Sequence, residues 1–193
     1  MLFRSPGQHY TARRFVADAG ALAARLPDAG YLINACQDRY RFAVLFAACL
    51  LADRTCLLTG DHSPRGIDRL RERFGSCESV GDAALDGVGS PLDPSLEWAA
   101  PAIPVSQRAA IVLTSGSTGE PTAVPKLWGE LVARSRAAAF RFELMGNDAP
   151  TLIGTIPPHH MYGFETTILL PLHSGSASWC GPVFYPADIG SAL

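Results

Sequence analysis

The sequence predicts an α/β fold: a mostly parallel sheet with helices on both faces. Two observations carry that expectation. Short apolar runs of strand length alternate along the chain with longer stretches of helical period, the pattern of strands joined by covering helices. The chain also has 193 residues, 48% of them hydrophobic, which is enough for one domain with a real core.

Residues 11–26 predict the first helix, with Phe15, Ala19, Leu22 and Leu26 on one face. Pro27-Asp28-Ala29-Gly30 ends it. Tyr31-Leu32-Ile33-Asn34 reads as a strand, and residues 38–51, rich in alanine and leucine, as a second helix. The longest apolar run, residues 42–52, is flanked by Arg41 and Asp53 and is too short to cross a bilayer, so it predicts a buried helix. Residues 55–59 form the next strand, 60–64 its turn, and 67–74 a charged helix. Arg13, Arg14, Arg69, Arg71 and Arg73 are expected on solvated helix faces, and nothing in residues 1–87 offers chemistry.

Pro91, Pro94, Pro101 and Pro104 mark residues 88–108 as an irregular connection across the surface rather than a domain boundary. Ala109-Ala110-Ile111-Val112-Leu113 is a buried strand, and Ala123-Val124-Pro125-Lys126 its return in a hairpin. Residues 127–142 predict a helix with Leu127, Leu131, Ala138 and Phe142 toward the core. A strand over 151–156, a helix over 162–172, a strand over 177–180 and the start of a helix over 186–193 complete the chain, with no internal repeat and no low-complexity tract.

The net charge of -2 gives no electrostatic case for nucleic acid or an anionic membrane as partner. Cys36, Cys49, Cys56, Cys77 and Cys180 are odd in number and contain no Cys-x-x-Cys pair. They are expected to be reduced and mostly buried, with no zinc site. Residues 1–6 lack the basic-then-apolar plan of a signal peptide, and the expected location is cytoplasmic.

The tip of the predicted hairpin, Thr114-Ser115-Gly116-Ser117-Thr118-Gly119-Glu120-Pro121, carries the chemistry. Gly116 and Gly119 let backbone N–H groups face an anion without Cβ atoms in the way, and the hydroxyls of Thr114, Ser115, Ser117 and Thr118 add donors. A strand running into such a loop suits the phosphates of a nucleoside triphosphate, although a polar surface turn has the same composition. The loop is not a Walker motif, because Glu120 and Pro121 follow Gly119 where Lys and Ser or Thr are required. It lacks the Gly-x-Gly-x-x-Gly of a dinucleotide site, and the chain has no Gly-x-Ser-x-Gly elbow of a serine hydrolase.

The loop resembles the signature loop of the adenylate-forming superfamily, which includes acyl-CoA synthetases and the adenylation domains of peptide synthetases. A second block in register, Pro157-Pro158-His159-His160-Met161-Tyr162-Gly163 followed by Pro171-Leu172-His173-Ser174-Gly175, resembles that family's next motif. The resemblance implies a carboxylic acid attacking the α-phosphate of ATP, with Mg²⁺, to give an acyl-adenylate that passes to the thiol of CoA or an acyl carrier protein. It implies that Thr114, Ser115, Gly116, Ser117, Thr118 and Gly119 bind ATP, that His160 is catalytic near the carboxylate and α-phosphate, and that Tyr162 and Gly163 floor the acid pocket. Thr122 stands where the family has a lysine; Lys126, on the same side of the strand, is the candidate substitute. His159 has no matched role, and no metal ligands are assigned.

The family's adenine, ribose and hinge motifs and its lid lysine have no counterpart in residues 1–193. The chain is therefore expected to be the N-terminal portion of an AMP-binding domain, inactive alone and prone to self-association through raw sheet edges. The competing expectation is a non-catalytic module that binds nucleotide or a partner. Gly-Glu-Pro in the loop and the Pro-Pro-His-His block look most like acyl- or aryl-acid ligases that feed carrier-protein pathways.

Overall fold

In the computed structural model the apolar runs pair into two sheets rather than one. The structure describes residues 2–88, 101–114, 121–146, 150–181, 183 and 185–192. Nine strands and seven α-helices are found among these residues: β1 (Phe3–Ser5), β2 (Gln8–Tyr10), α1 (Ala12–Ala23), β3 (Tyr31–Asn34), α2 (Arg39–Leu51), β4 (Thr55–Leu58), α3 (Pro64–Phe74), β5 (Cys77–Val80), β6 (Arg108–Thr114), β7 (Thr122–Leu127), α4 (Trp128–Arg141), β8 (Thr151–Leu152), α5 (Met161–Phe164), α6 (Leu170–Leu172), β9 (Ala177–Trp179) and α7 (Pro186–Ala192). Short 3₁₀ and π segments lie at Asp82–Leu85 and Glu165–Leu169.

The larger sheet runs β5-β3-β4-β6-β7, parallel except for the β6–β7 hairpin. Alternation along its strands explains why helices cover both faces. Leu32, Leu58 and Val112 point into the main core with Phe42 and Phe46 of α2, whereas Ile33, Leu57 and Ile111 pack beneath Leu70 of α3. Helix starts follow the local signals. The Thr11 and Asp38 side chains accept the N–H groups of Arg14 and Arg41, and Ser63 with Pro64 behind it accepts that of Gly66.

The smaller sheet, β2-β1-β9-β8, takes the strands expected over 151–156 and 177–180 away from the larger one. Its β1–β2 hairpin turns at Gly7, with φ 72°, and was not legible in the sequence because each strand is three residues long and interrupted by polar side chains. Beside this sheet, buried polar contacts tie α1 to α2, and one ring stack ties β2 to them. Tyr40 donates to Asp18 at 2.7 Å, Arg14 donates to the same carboxylate oxygen at 2.8 Å, and the Tyr10 and Tyr40 rings stack at 3.7 Å. Arg14 is thus not on a solvated face, as expected from sequence, but partners a buried acid.

Two further expectations change. Leu127 ends β7 and Phe142 lies past the end of α4, so both are exposed, and the buried stripe of α4 is Leu131, Ser135 and Ala139. The helical phase starts one residue later than the apolar pattern suggests. The helix expected over 162–172 is widened into a π-turn over Glu165–Leu169. Pro171 accounts for it, since a proline ring in a regular α-helix meets the carbonyl four residues back, here Thr167. Of the four outer strands, β7 contains Pro125 and Lys126 and β8 has two residues, features that weaken an edge as a template, while β2 and β5 contain no proline. The five cysteines are free thiols, four of them buried. No helix among the described residues is long and apolar enough to cross a membrane.

Candidate functional site

The C-terminal edge of the larger sheet's parallel strands gathers the polar residues, as expected of open α/β sheets. Leu58 of β4 pairs with Val112 of β6. Two residues further along each chain stand Gly60, in the bend that follows β4, and Thr114, the last residue of β6. Past Gly60 the turn is locked by side chains. Thr59 accepts the Asp61 N–H at 3.1 Å, Asp61 accepts that of Ser63 at 3.0 Å, and Arg69 pairs with Asp61 at 2.7 Å. The hydrogen bonds from Ser63, then Arg69, hold the Asp61 carboxyl below the usual carboxylate range. Gly66 packs directly against that carboxylate: a Cβ there would lie 2.5–2.7 Å from it, so the Asp61 side chain would have to swing aside.

The segment 154–160 arrives from the other sheet and sets two imidazoles in opposite directions. His159 is 8% exposed, edge-on to His62 with ring centroids 4.8 Å apart. His160 is exposed and lies over Gly60, where a Cβ would be 3.2 Å from its Cε1 atom. A side chain at residue 60 would press that ring back by a few tenths of an ångström. His62 and Gly60 had no signal in the sequence beyond membership of a turn; the topology alone brings residues 62 and 159 together.

The other sequence-predicted residues separate. Thr114 sits at the end of β6, opposite Thr122. Ser115, Gly116, Ser117, Thr118 and Gly119 lie outside the described residues. Lys126 pairs with Ala110, four residues from Thr122 and therefore about 13 Å along the strand, away from the loop. The cation beside the loop's base is Arg73 instead, which donates to the Pro121 carbonyl at 2.6 Å. Tyr162 is exposed and lines a cavity of 310 Å³ between α4 and the 161–170 helix, with Leu131, Arg134, Ser135, Phe142 and Thr166. Gly163 is not among the residues that line that cavity. It packs on the carbonyls of Ile156 and Pro157, closer than any side chain allows. Among the described residues no group of three or more His, Cys, Asp or Glu can hold a metal ion.

Burial, then the neighbouring His62 and His160, lower the His159 pKa from 6.5 to about 4. The folded state therefore binds fewer protons than the unfolded chain between those values, so stability is full above pH 6.5 and is lost as pH falls toward 4. Between pH 7 and pH 4.5 the expected loss is on the order of 2 kcal/mol. Urea unfolding at pH 7 and pH 4.5 should show it, and His159→Gln should remove most of the difference. An unchanged difference in that variant would refute the assignment.

No family model matches the chain. Over 68 residues it is 37% identical to a 4-coumarate–CoA ligase of Rhodobacter capsulatus, a match covering 35% of this chain and 18% of that protein. An O-succinylbenzoate coenzyme A synthetase from Bacillus subtilis, solved with ATP and magnesium ion, matches with TM-score 0.75 at 14% identity, over 99% of this chain and 56% of that one. A malonyl-CoA ligase with methylmalonyl-CoA and AMP bound matches with TM-score 0.74 at 21% identity, over 99% of this chain and 43% of that one. The chain thus spans about half the length of these structural neighbours, and less of the curated relative.

Proposed function

We propose, from the fold that the chain shares with about half the length of these acyl-CoA synthetases, that it is the nucleotide-gripping part of an ATP-dependent acid–thiol ligase of the adenylate-forming superfamily. The whole reaction joins a carboxylate to the α-phosphate of ATP with release of pyrophosphate. The acyl group then passes to the thiol of CoA or a carrier protein, and AMP leaves. In this reading the loop from Thr114 to Gly119 holds the β- and γ-phosphates through backbone and hydroxyl donors. His160 faces the incoming carboxylate and the α-phosphate, where an imidazole offsets developing charge.

The observation that carries the proposal is the shared sheet edge. His160 stands over Gly60, in the bend that follows β4, and Thr114, the first residue of the loop, ends β6, the strand paired with β4. The described residues offer no carboxylate cage for Mg²⁺, and Asp61 is already committed to Arg69 and Ser63. Magnesium that accompanies ATP would lower the repulsion between the two anions that must meet. Tyr162 and its 310 Å³ cavity are proposed to receive the tail of the acid, a volume suited to a small aromatic or short acyl group. The cytoplasm is the proposed location.

Acid-dependent exchange of pyrophosphate into ATP tests the reading. A protein joining this chain to the other half of the fold is expected to exchange with a fatty or aromatic acid, and the 193-residue chain alone is not. No exchange with any acid in the joined protein would end the ligase reading.

A further inference from the structure

Arg39, the first residue of α2, is buried at 7% exposure, and its partners are backbone carbonyls rather than a carboxylate. One guanidinium nitrogen, Nη1, donates to Trp179 at 2.8 Å. The other, Nη2, donates to Gly154 at 2.9 Å and to Ile156 at 3.4 Å. These carbonyls lie where β8 and β9 part company. The two strands pair at Thr151–Ala177 and Leu152–Ser178 and no further. Beyond that rung the carbonyls still need donors, because buried backbone oxygens without partners are costly. The planar fork of Arg39 supplies them from a helix of the other layer, and the three carbonyl dipoles stand in for a counter-charge.

A buried cation without a carboxylate persists only when the surrounding groups compensate it closely. Here the compensation fixes the chain four residues upstream of His160. Arg39 grips Gly154 and Ile156, Gly163 packs on Ile156 and Pro157 from the helix side, and the Pro157 carbonyl accepts the His160 N–H at 3.1 Å. The segment that delivers the two imidazoles is therefore clamped on both sides, and Arg39 is the clamp that reaches it from the larger sheet's covering helix.

We infer that Arg39 is a positioning residue: it acts through the 154–160 backbone to set where His160 stands against the end of β4. Its consequence for chemistry rests on the ligase reading; the placement itself does not. The test uses Arg39→Met and Arg39→Lys in the 193-residue chain, with long-range ¹H–¹⁵N spectra of its five imidazoles. The His159 and His160 signals are expected to move in Arg39→Met and less in Arg39→Lys, while those of His9 and His173 stay in place. In the protein that exchanges pyrophosphate, Arg39→Met should lower kcat on the order of 10²-fold with KM for ATP unchanged, with partial rescue by lysine. If Arg39→Met does not fold, Arg39→Lys carries the test. A lower melting temperature with the His159 and His160 signals unmoved would overturn the inference. Moved signals in a protein that shows no exchange would sustain it while removing the ligase reading.

Discussion

Replacing Gly163 with alanine is expected to destabilise the protein by about 3 kcal/mol or more, a fall in melting temperature of roughly 10 °C for a chain of this size. The added methyl would meet the Pro157 carbonyl oxygen in severe overlap and the Ile156 oxygen at 2.8 Å. Both are backbone atoms that cannot rotate away. Relief requires moving the start of α5 off the 156–157 segment, which also carries the turn to His160 and the Arg39 hydrogen bonds. Gly20→Ala is the control. It lies exposed in α1 with nothing within 4 Å of a new Cβ, and should be neutral or stabilising by about 0.5–1 kcal/mol. Thermal melts of the two variants decide between packing and pocket as the role of Gly163. If Gly163→Ala melts with the parent but changes which acid is accepted, the pocket role expected from sequence is right and the packing argument is wrong.

That example shows where sequence reasoning stops. Period made β3, β4, β6 and β7 of the larger sheet legible, because their apolar runs are a local property, whereas β5, with Glu78 and Ser79 at its centre, carried no such run and was not foreseen. The hydroxyl-rich loop and the His159–His160 block were legible as motifs. What the second block touches was not. Gly163 is explained by carbonyls six and seven residues away, Arg39 by carbonyls 115 and 140 residues away, and His62 by a ring on the opposite side of the site. Contacts of that range depend on which sheet a strand joins, and the departure of β8 and β9 into a second sheet has no periodic signature. The exposed Leu127 and Phe142 have a simpler cause: a hairpin strand runs straight into a helix, and the pattern across the junction has no single period.

His160→Ala is expected to lower acid-dependent pyrophosphate exchange by about 10²–10³-fold in the protein that exchanges, the cost of removing one donor aimed at developing charge. ATP binding should change little, because the loop from Thr114 to Gly119 is proposed to carry that affinity. The two neighbouring histidines separate the effects. His159 is buried against His62 and Phe42, so His159→Gln acts on stability and its pH dependence. His160 is exposed over Gly60 and its loss leaves the core intact. Gly60→Ala adds an independent arm. A Cβ 3.2 Å from the His160 ring is tighter than ordinary contact, so the ring must shift by a few tenths of an ångström while remaining chemically whole. Exchange should then fall by less than in His160→Ala, with the KM for ATP again unmoved. If His160→Ala keeps exchange within a few-fold of the parent, the imidazole does not face the reacting phosphate. The carboxylate must then approach along another part of the sheet edge, on the side of Thr59 and Arg73.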